Sequence, residues 1–94
     1  MTKQMQAIKA MYEDFKVKRE ANEIAFEAWD ADLENEELEK ASDEAYEAMW
    51  DALNAFAAEL ESFTGGQVTQ ADAKLMARNP KYSARLDTLM ARVA

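Results

Sequence analysis

Apolar residues recur at alternating intervals of four and three over the first thirty-four residues of this 94-residue chain. Heptad spacing of this kind places them on one face of an α-helix that packs against another helix. Two positions near the middle of the stripe, Arg19 and Asn22, are polar, and we interpret them as a layer that fixes the helix register. The stripe consists of Met1, Met5, Ile8, Tyr12, Phe15, Arg19, Asn22, Phe26, Trp29 and Leu33.

A second stripe with the same spacing follows, but its register is shifted by one residue from the continuation of the first. Its members are Tyr46, Met49, Leu53, Phe56, Leu60 and Phe63. The segment between the stripes is polar, and Asn35 or Ser42 could cap a new helix there. We therefore predict a turn and an antiparallel helical hairpin. The alternative is one unbroken helix through residue 63, because neither Gly nor Pro interrupts this segment.

A turn centred between residues 39 and 40 would bring large side chains of the two stripes together. The expected pairs are Leu33–Tyr46, Trp29–Trp50, Phe26–Leu53 and Phe15–Phe63. Both tryptophans are then core residues, although tryptophan is also enriched where partners bind. Met11, Val17 and Ile24 lie off the main stripe and could contact either the C-terminal helices or a second copy of the chain.

The C-terminal third contains clear signals for helix ends. Gly65 and Gly66 end the second helix, Thr69 can cap a third, and Asn79 with Pro80 can begin a fourth. We predict a single all-α domain over 1–94: a long antiparallel hairpin (helices 1–34 and 36–63) with two short C-terminal helices (69–78 and 80–93) that cover the end carrying Met1, Met5 and Ile8. Gly, Pro and β-branched residues are too scarce for a β-sheet.

The chain contains neither His nor Cys. This composition removes the commonest general base, the Ser–His and Cys–His triads and the usual zinc ligands. Asp30, Asp32 and Glu34 resemble a fragment of a calcium loop, but the central Gly is missing. We therefore expect a protein that is not an enzyme and that has no metal or cofactor.

The longest uninterrupted apolar run is 55–58, far shorter than the roughly 18 residues that span a bilayer. The N-terminus also lacks the apolar region of a secretory signal. Since the chain has no Cys as well, we expect it to act in the cytoplasm, which is that of the host cell if a phage encodes it.

Charge is divided unevenly along the chain. Residues 1–63 contain seventeen acids and six bases, whereas residues 64–94 contain two acids and five bases. Ten of the acids form our candidate partner-binding surface, called the acidic belt below. The belt consists of Glu20, Glu23, Glu27, Asp30, Glu34, Glu37, Asp43, Glu44, Glu47 and Asp51. Its carboxylates could imitate the phosphates of a nucleic acid for a protein with a basic groove, or they could serve solubility alone.

In size, acidity and composition the chain is similar to phage-encoded inhibitors of restriction, CRISPR and other host systems, although no signature residue carries this resemblance. It implies a small protein-binding inhibitor or regulator. One alternative is a structural homo-oligomer, with a C2 homodimer as the expected assembly. A second is a DNA-binding regulator, because residues 69–92 loosely resemble a helix-turn-helix. The predominance of acids makes direct nucleic-acid binding the weaker alternative.

Overall fold

A computed structural model of the chain describes residues 2–93. Within this range the chain forms four α-helices and no β-strand. The helices are α1 (Lys3–Asp30), α2 (Glu36–Phe63), α3 (Gln70–Arg78) and α4 (Pro80–Ala91). α1 and α2 pack against each other along the long axis of a molecule that measures 48 × 23 × 21 Å. The predicted fold class, an all-α hairpin with two short C-terminal helices, is confirmed. Met1, the first member of the N-terminal stripe, lies outside the described residues.

The turn between the long helices occupies residues 31–35. The side-chain oxygen of Asn35 accepts hydrogen bonds from the backbone N–H groups of Glu37 and Leu38, at 3.1 and 3.2 Å. This cap requires an extended backbone at Asn35 (φ −83°, ψ 104°), which a continuing helix cannot supply. The first helix therefore ends at Asp30, four residues before the predicted end at residue 34, and the alternative of one unbroken helix is wrong.

The hairpin register is also different from the expected one. The amide nitrogen of Gln4 donates to Glu59 at 3.1 Å, and the rings of Tyr12 and Phe56 lie 5.3 Å apart. These contacts place the centre of the turn near residue 33 rather than between 39 and 40. The pairing of Trp29 with Trp50, like the other three expected pairs, is wrong because the cap at Asn35 starts α2 several residues earlier than that pairing requires.

Capping side chains also define the two short helices. Thr69 caps α3 by accepting from the N–H of Asp72 at 3.1 Å, so it precedes the helix rather than opening it. Asn79 ends α3 and caps α4, with Pro80 in the first turn. α4 ends at Ala91 rather than at the predicted residue 93, because the backbone tightens and the N–H of Val93 bonds to the carbonyl of Met90. Gly65 and Gly66 adopt positive φ angles of 64° and 87° after α2.

The hydrophobic core occupies only the half of the hairpin that is remote from the turn. All four helices and the C-terminal segment contribute to it. Its buried members are Ile8, Tyr12, Phe15, Ala52, Leu53, Phe56, Ala57, Leu60, Ala73, Ala77, Leu86, Met90 and Val93. The highest-numbered α1 residue in this core is Phe15, and the lowest-numbered α2 residue is Ala52. We call this half, which is remote from the turn and contains the core, the proximal half. Residues 20–51, which include the turn, form the distal half.

Polar contacts attach α3 and α4, the capping helices, to one face of α1. Lys9 donates to the carbonyl of Val93 at 2.9 Å, and Lys16 bonds to the carboxylate of Asp87 at 3.0 Å. Farther along α1, the guanidinium of Arg19 donates to the carbonyl of Ala77 at 3.2 Å. As expected, the capping helices cover the end of the hairpin that carries Ile8. Arg19, predicted as part of a polar layer, joins α1 to the end of α3.

Tyr12 links the core to this polar attachment. Its hydroxyl donates to Asp87 at 2.7 Å and lies 3.2 Å from the carbonyl oxygen of Ser83. Burial, together with the neighbouring carboxylate, raises the pKa of Tyr12 above its ordinary value. Hydrogen bonds from Tyr12 and then Lys16 lower the pKa of Asp87. The Asp87 carboxylate is thus held in its charged form against α1.

Candidate partner-binding surface

The distal half concentrates negative charge. Between Glu20 and Asp51 the sequence contains thirteen acids and a single base, Lys40. Good helix formers and the Asn35 cap keep this segment helical despite repulsion between acids three and four residues apart, which weakens an isolated helix by a few tenths of a kcal/mol per pair. The negative charges are therefore held on two adjacent α-helices.

All ten carboxylates of the acidic belt are exposed to solvent. Among residues 2–93, none of them lies within 4 Å of a basic nitrogen; the two ion pairs of this range are Lys16–Asp87 and Lys18–Asp14. Several acids of the proximal half are instead bonded within the molecule. The Glu61 carboxylate, for example, accepts from the backbone N–H of Gln70 at 3.0 Å. The belt carboxylates are thus available to a partner.

Several bases of the chain bond to groups outside the belt. Lys9 and Arg19 bond to backbone carbonyls, and Lys16 bonds to Asp87. Arg85 lies over the ring of Tyr82 on its own helix, 5.9 Å from the centroid. The positive charge of the C-terminal third does not neutralise the distal half within one molecule.

On α1 the belt acids Glu20, Glu23, Glu27 and Asp30 follow one another at intervals of three and four, so they share one side of the helix. Glu23 and Asp30 follow Lys16 at intervals of seven residues and share its side of the helix, on which α4 packs. On α2, Asp43 precedes Trp50 by seven residues, and Trp50 contacts Arg78 of α3. These three acids therefore lie on the face that carries the capping helices, but beyond the end of those helices.

The remaining belt residues occupy other positions around the hairpin. Glu20 and Glu27 share the helical position of Glu13, which is exposed beside Asp87 and Met90 of α4. Glu37, Glu44 and Asp51 share the position of Ala58, which is also exposed. Glu47 lies between these two sides of α2, and Glu34 lies in the turn rather than on α1.

Aromatic residues lie between the acids on the capped face. Phe26 makes an edge contact with Trp29, and Tyr46 makes one with Trp50; both pairs of ring centroids are 6.2 Å apart. Phe26 and Tyr46 are each 52% exposed, and Leu33 in the turn is 61% exposed. Helical position places Phe26 of α1 and Tyr46 and Trp50 of α2 on this same face. We call this surface the distal groove, with these three residues as its floor and Glu23, Asp30 and Asp43 as its rim.

Sequence reasoning missed the distal groove because it assigned these aromatic residues to the core. Helical periodicity identifies the side of a helix that is apolar, but it does not show whether another element covers that side. One signal was present in the sequence: helices of 9 and 12 residues cannot cover a hairpin of 28-residue helices along its whole length.

The two tryptophans of the distal half are partly buried rather than central to the core. Their indole nitrogens are enclosed, and neither has a hydrogen-bond partner among residues 2–93. A buried indole N–H usually finds an acceptor. The indole N–H groups of Trp29 and Trp50 are therefore unusual in having no acceptor within the described residues.

The capping helices have poor geometry for a helix-turn-helix. Asn79 alone joins α3 to α4, whereas the DNA-binding motif has a turn of about three or four residues. Leu86 and Met90 on the inner side of α4 are buried in the core. The exposed side of α4 carries Arg85 and Arg92.

Several other kinds of site find no support in the described residues. No three carboxylates among residues 2–93 converge closely enough to hold a metal ion. In the same part of the chain, every helix is too short or too polar to cross a membrane. No protein-family model matches the chain, and neither a curated protein nor a solved structure shows significant similarity to it.

Proposed function

We propose that this chain is a non-catalytic binding protein that presents the acidic distal half of its hairpin to a protein with a basic, nucleic-acid-binding groove. The observation that carries this proposal is the exposure of the whole acidic belt without any ion pair in the described chain. A belt that served the fold would be expected to engage the bases of the C-terminal third, and among residues 2–93 none of those bases forms an ion pair with it.

The density of charge supports a mimic of nucleic acid. The distal half contains thirteen acids along roughly 24 Å of the hairpin axis, at about 1.5 Å of rise per residue. This amounts to about one negative charge every 2 Å, close to the roughly 1.7 Å per charge of duplex DNA. A groove lined with Lys and Arg for a phosphate backbone would therefore meet a similar charge density.

The role that fits such a surface is inhibition or regulation of the partner by occupation of its nucleic-acid site. Size, acidity and helical content are those of phage-encoded inhibitors of restriction and CRISPR systems, so basic-groove nucleases are the first partners to test. Solubility alone requires net charge but not its concentration in one half of the molecule.

A capture experiment with competition by duplex DNA tests the proposal. The immobilised chain is exposed to lysate, and the retained proteins are then eluted with a short DNA duplex. We expect nucleic-acid-binding proteins that are displaced by the duplex, since the duplex and the belt would occupy the same groove. Proteins that resist displacement, or an absence of retained proteins, would contradict a mimic.

Two variants, one inside the belt and one outside it, make the test specific. Glu20→Gln, Glu27→Gln, Glu44→Gln and Asp51→Asn together neutralise four exposed carboxylates of the belt, and this variant should lose capture while its far-UV helicity is unchanged. Neutralising the proximal carboxylates Glu13 and Asp14 should leave capture intact. Equal capture by both variants would exclude the belt as the binding surface.

A further inference from the structure

The capped face of the molecule is stepped, because the capping helices cover only one half of its length. Its proximal half carries α3 and α4, and its distal half is the open groove between α1 and α2. Phe26 and Tyr46 on the groove floor are each 52% exposed, although they continue the heptad positions that α3 and α4 cover in the proximal half. The same kind of surface is thus covered at one end of the face and bare at the other.

The outer side of α4 is complementary in charge to this groove. Arg85, Leu89 and Arg92 line a shallow exposed surface together with Ala84 and Thr88, and Leu89 is 50% exposed. The single acid of α4, Asp87, is turned inward to Tyr12 and Lys16. The outward side of α4 is therefore cationic with an apolar residue between the arginines, whereas the distal groove is aromatic with an acidic rim.

We propose that the distal groove is occupied by α4 of a second copy of this chain, in a C2 dimer whose two copies lie antiparallel with their stepped faces together. α4 has 12 residues, or about 18 Å of helix, which matches the part of α1 from Arg19 to Asp30. Both surfaces lie on the same face of one molecule. A two-fold axis therefore forms the contact twice, as a self-complementary interface requires.

The antiparallel arrangement is favoured because it joins opposite charges. A dimer that set two distal halves side by side would bring thirteen acids against thirteen acids, and like-charge contact costs several kcal/mol. Reciprocal docking instead places Arg85 and Arg92 of each copy beside the rim acids Glu23 and Asp30 of the other.

The available surface is sufficient for a stable dimer. The long face measures 48 by 21–23 Å, which exceeds the roughly 800 Å² per partner that an interface of standard size buries. This dimer does not depend on the proposed function. Its test changes Arg85 and Arg92 of α4 and Glu23 and Asp30 of the rim, whereas the capture test changes Glu20, Glu27, Glu44 and Asp51.

Sedimentation velocity on the full chain tests the dimer. We expect wild-type dimers at micromolar concentration that dissociate as salt rises from about 0.1 M to 1 M, where the screening length falls from about 10 Å to 3 Å. Two charge-reversed variants extend the test. Arg85→Glu with Arg92→Glu reverses α4, and Glu23→Arg with Asp30→Arg reverses the rim. Each variant alone should dimerise at least about tenfold more weakly than the wild type, because both of its contacts then join like charges.

An equimolar mixture of the two variants provides the decisive arm. In a mixed dimer both contacts again join opposite charges, so the mixture should recover a dimer that neither variant forms alone. A fold damaged by mutation could not be rescued in this way. The matched control for the α4 variant is Lys3→Glu with Lys18→Glu, which makes the same change in net charge away from the capped face and should dimerise like the wild type.

Three results would overturn the proposed dimer. These are a wild-type chain that is monomeric at all salt concentrations, reversed variants that dimerise like the wild type, and a mixture that stays monomeric. A monomeric wild-type chain that binds a synthetic basic amphipathic peptide would assign the groove to another protein instead.

Discussion

The guanidinium group of Arg78 lies over the indole ring of Trp50, with its central carbon 5.0 Å from the ring centroid. Arg78 is the last residue of α3, and Trp50 lies in α2 at the end of the distal half. The pair therefore marks the border between the covered and the open halves of the hairpin.

Removing this contact should loosen the end of α3 only slightly. A cation–π contact at an exposed site is worth about 0.5–1 kcal/mol, so Arg78→Ala should lower the free energy of unfolding by that amount. A double-mutant cycle with Trp50→Leu, measured by urea denaturation, should yield a coupling energy of similar size. A coupling energy of zero would mean that the two side chains are merely adjacent.

The cap at Asn35 should contribute measurably to stability. Its side chain satisfies the N–H groups of Glu37 and Leu38, and loss of such a cap typically costs about 1 kcal/mol. Asn35→Ala is therefore expected to be destabilised by that amount in urea denaturation. Asn54→Ala, on the exposed side of the same helix, is the control and should be neutral or slightly stabilising because alanine is the better helix former.

Truncation of a large apolar side chain should destabilise the fold much more in the proximal half of the hairpin than in the distal half. Phe56 is fully buried, and truncation of such a side chain costs about 3–5 kcal/mol. Phe26 is half-exposed in the monomer, so Phe26→Ala should cost less than about 1 kcal/mol. Both changes are best compared by urea denaturation at protein concentrations below those of dimerisation. Equal losses would mean that the distal half has a closed core.

The lowered pKa of Asp87 gives stability a defined dependence on pH. Because the folded pKa lies below the unfolded value of about 3.9, the contribution of Asp87 is present above that value and is lost as pH falls through the folded pKa. Asp87→Asn should therefore be less stable than the wild type at pH 7. The gap in denaturation midpoint should close as pH falls below about 4. A gap that stayed constant with pH would argue against the charged pairing with Tyr12 and Lys16.

Local signals in the sequence were sufficient for the helices. Gly65 and Gly66 end α2, and Asn79 with Pro80 starts α4, because these residue types satisfy or relieve the backbone groups at helix ends. The end of α1 was misplaced because residues 31–34 contain neither Gly nor Pro, and Asn35 alone sets the boundary.

Tertiary relationships were less accessible from the sequence. Heptad spacing is compatible with several hairpin registers, so the contact of Tyr12 with Phe56 could not be chosen over the pairing of Trp29 with Trp50. The exposure of the belt was expected from its charge. The position of the belt relative to the capping helices depends on where α3 and α4 pack, which Lys9, Lys16 and Arg19 determine through long-range contacts.

The proposed binding function is tested most directly by the salt dependence of affinity for a captured partner. We expect log K to fall steeply and linearly with log salt concentration, as it does when a basic groove meets closely spaced negative charges. Neutralising Glu20, Glu27, Glu44 and Asp51 should weaken binding and flatten that slope, with helicity unchanged. An affinity that is independent of salt, or that these substitutions leave unaltered, would contradict a function based on the exposed carboxylates of the distal half.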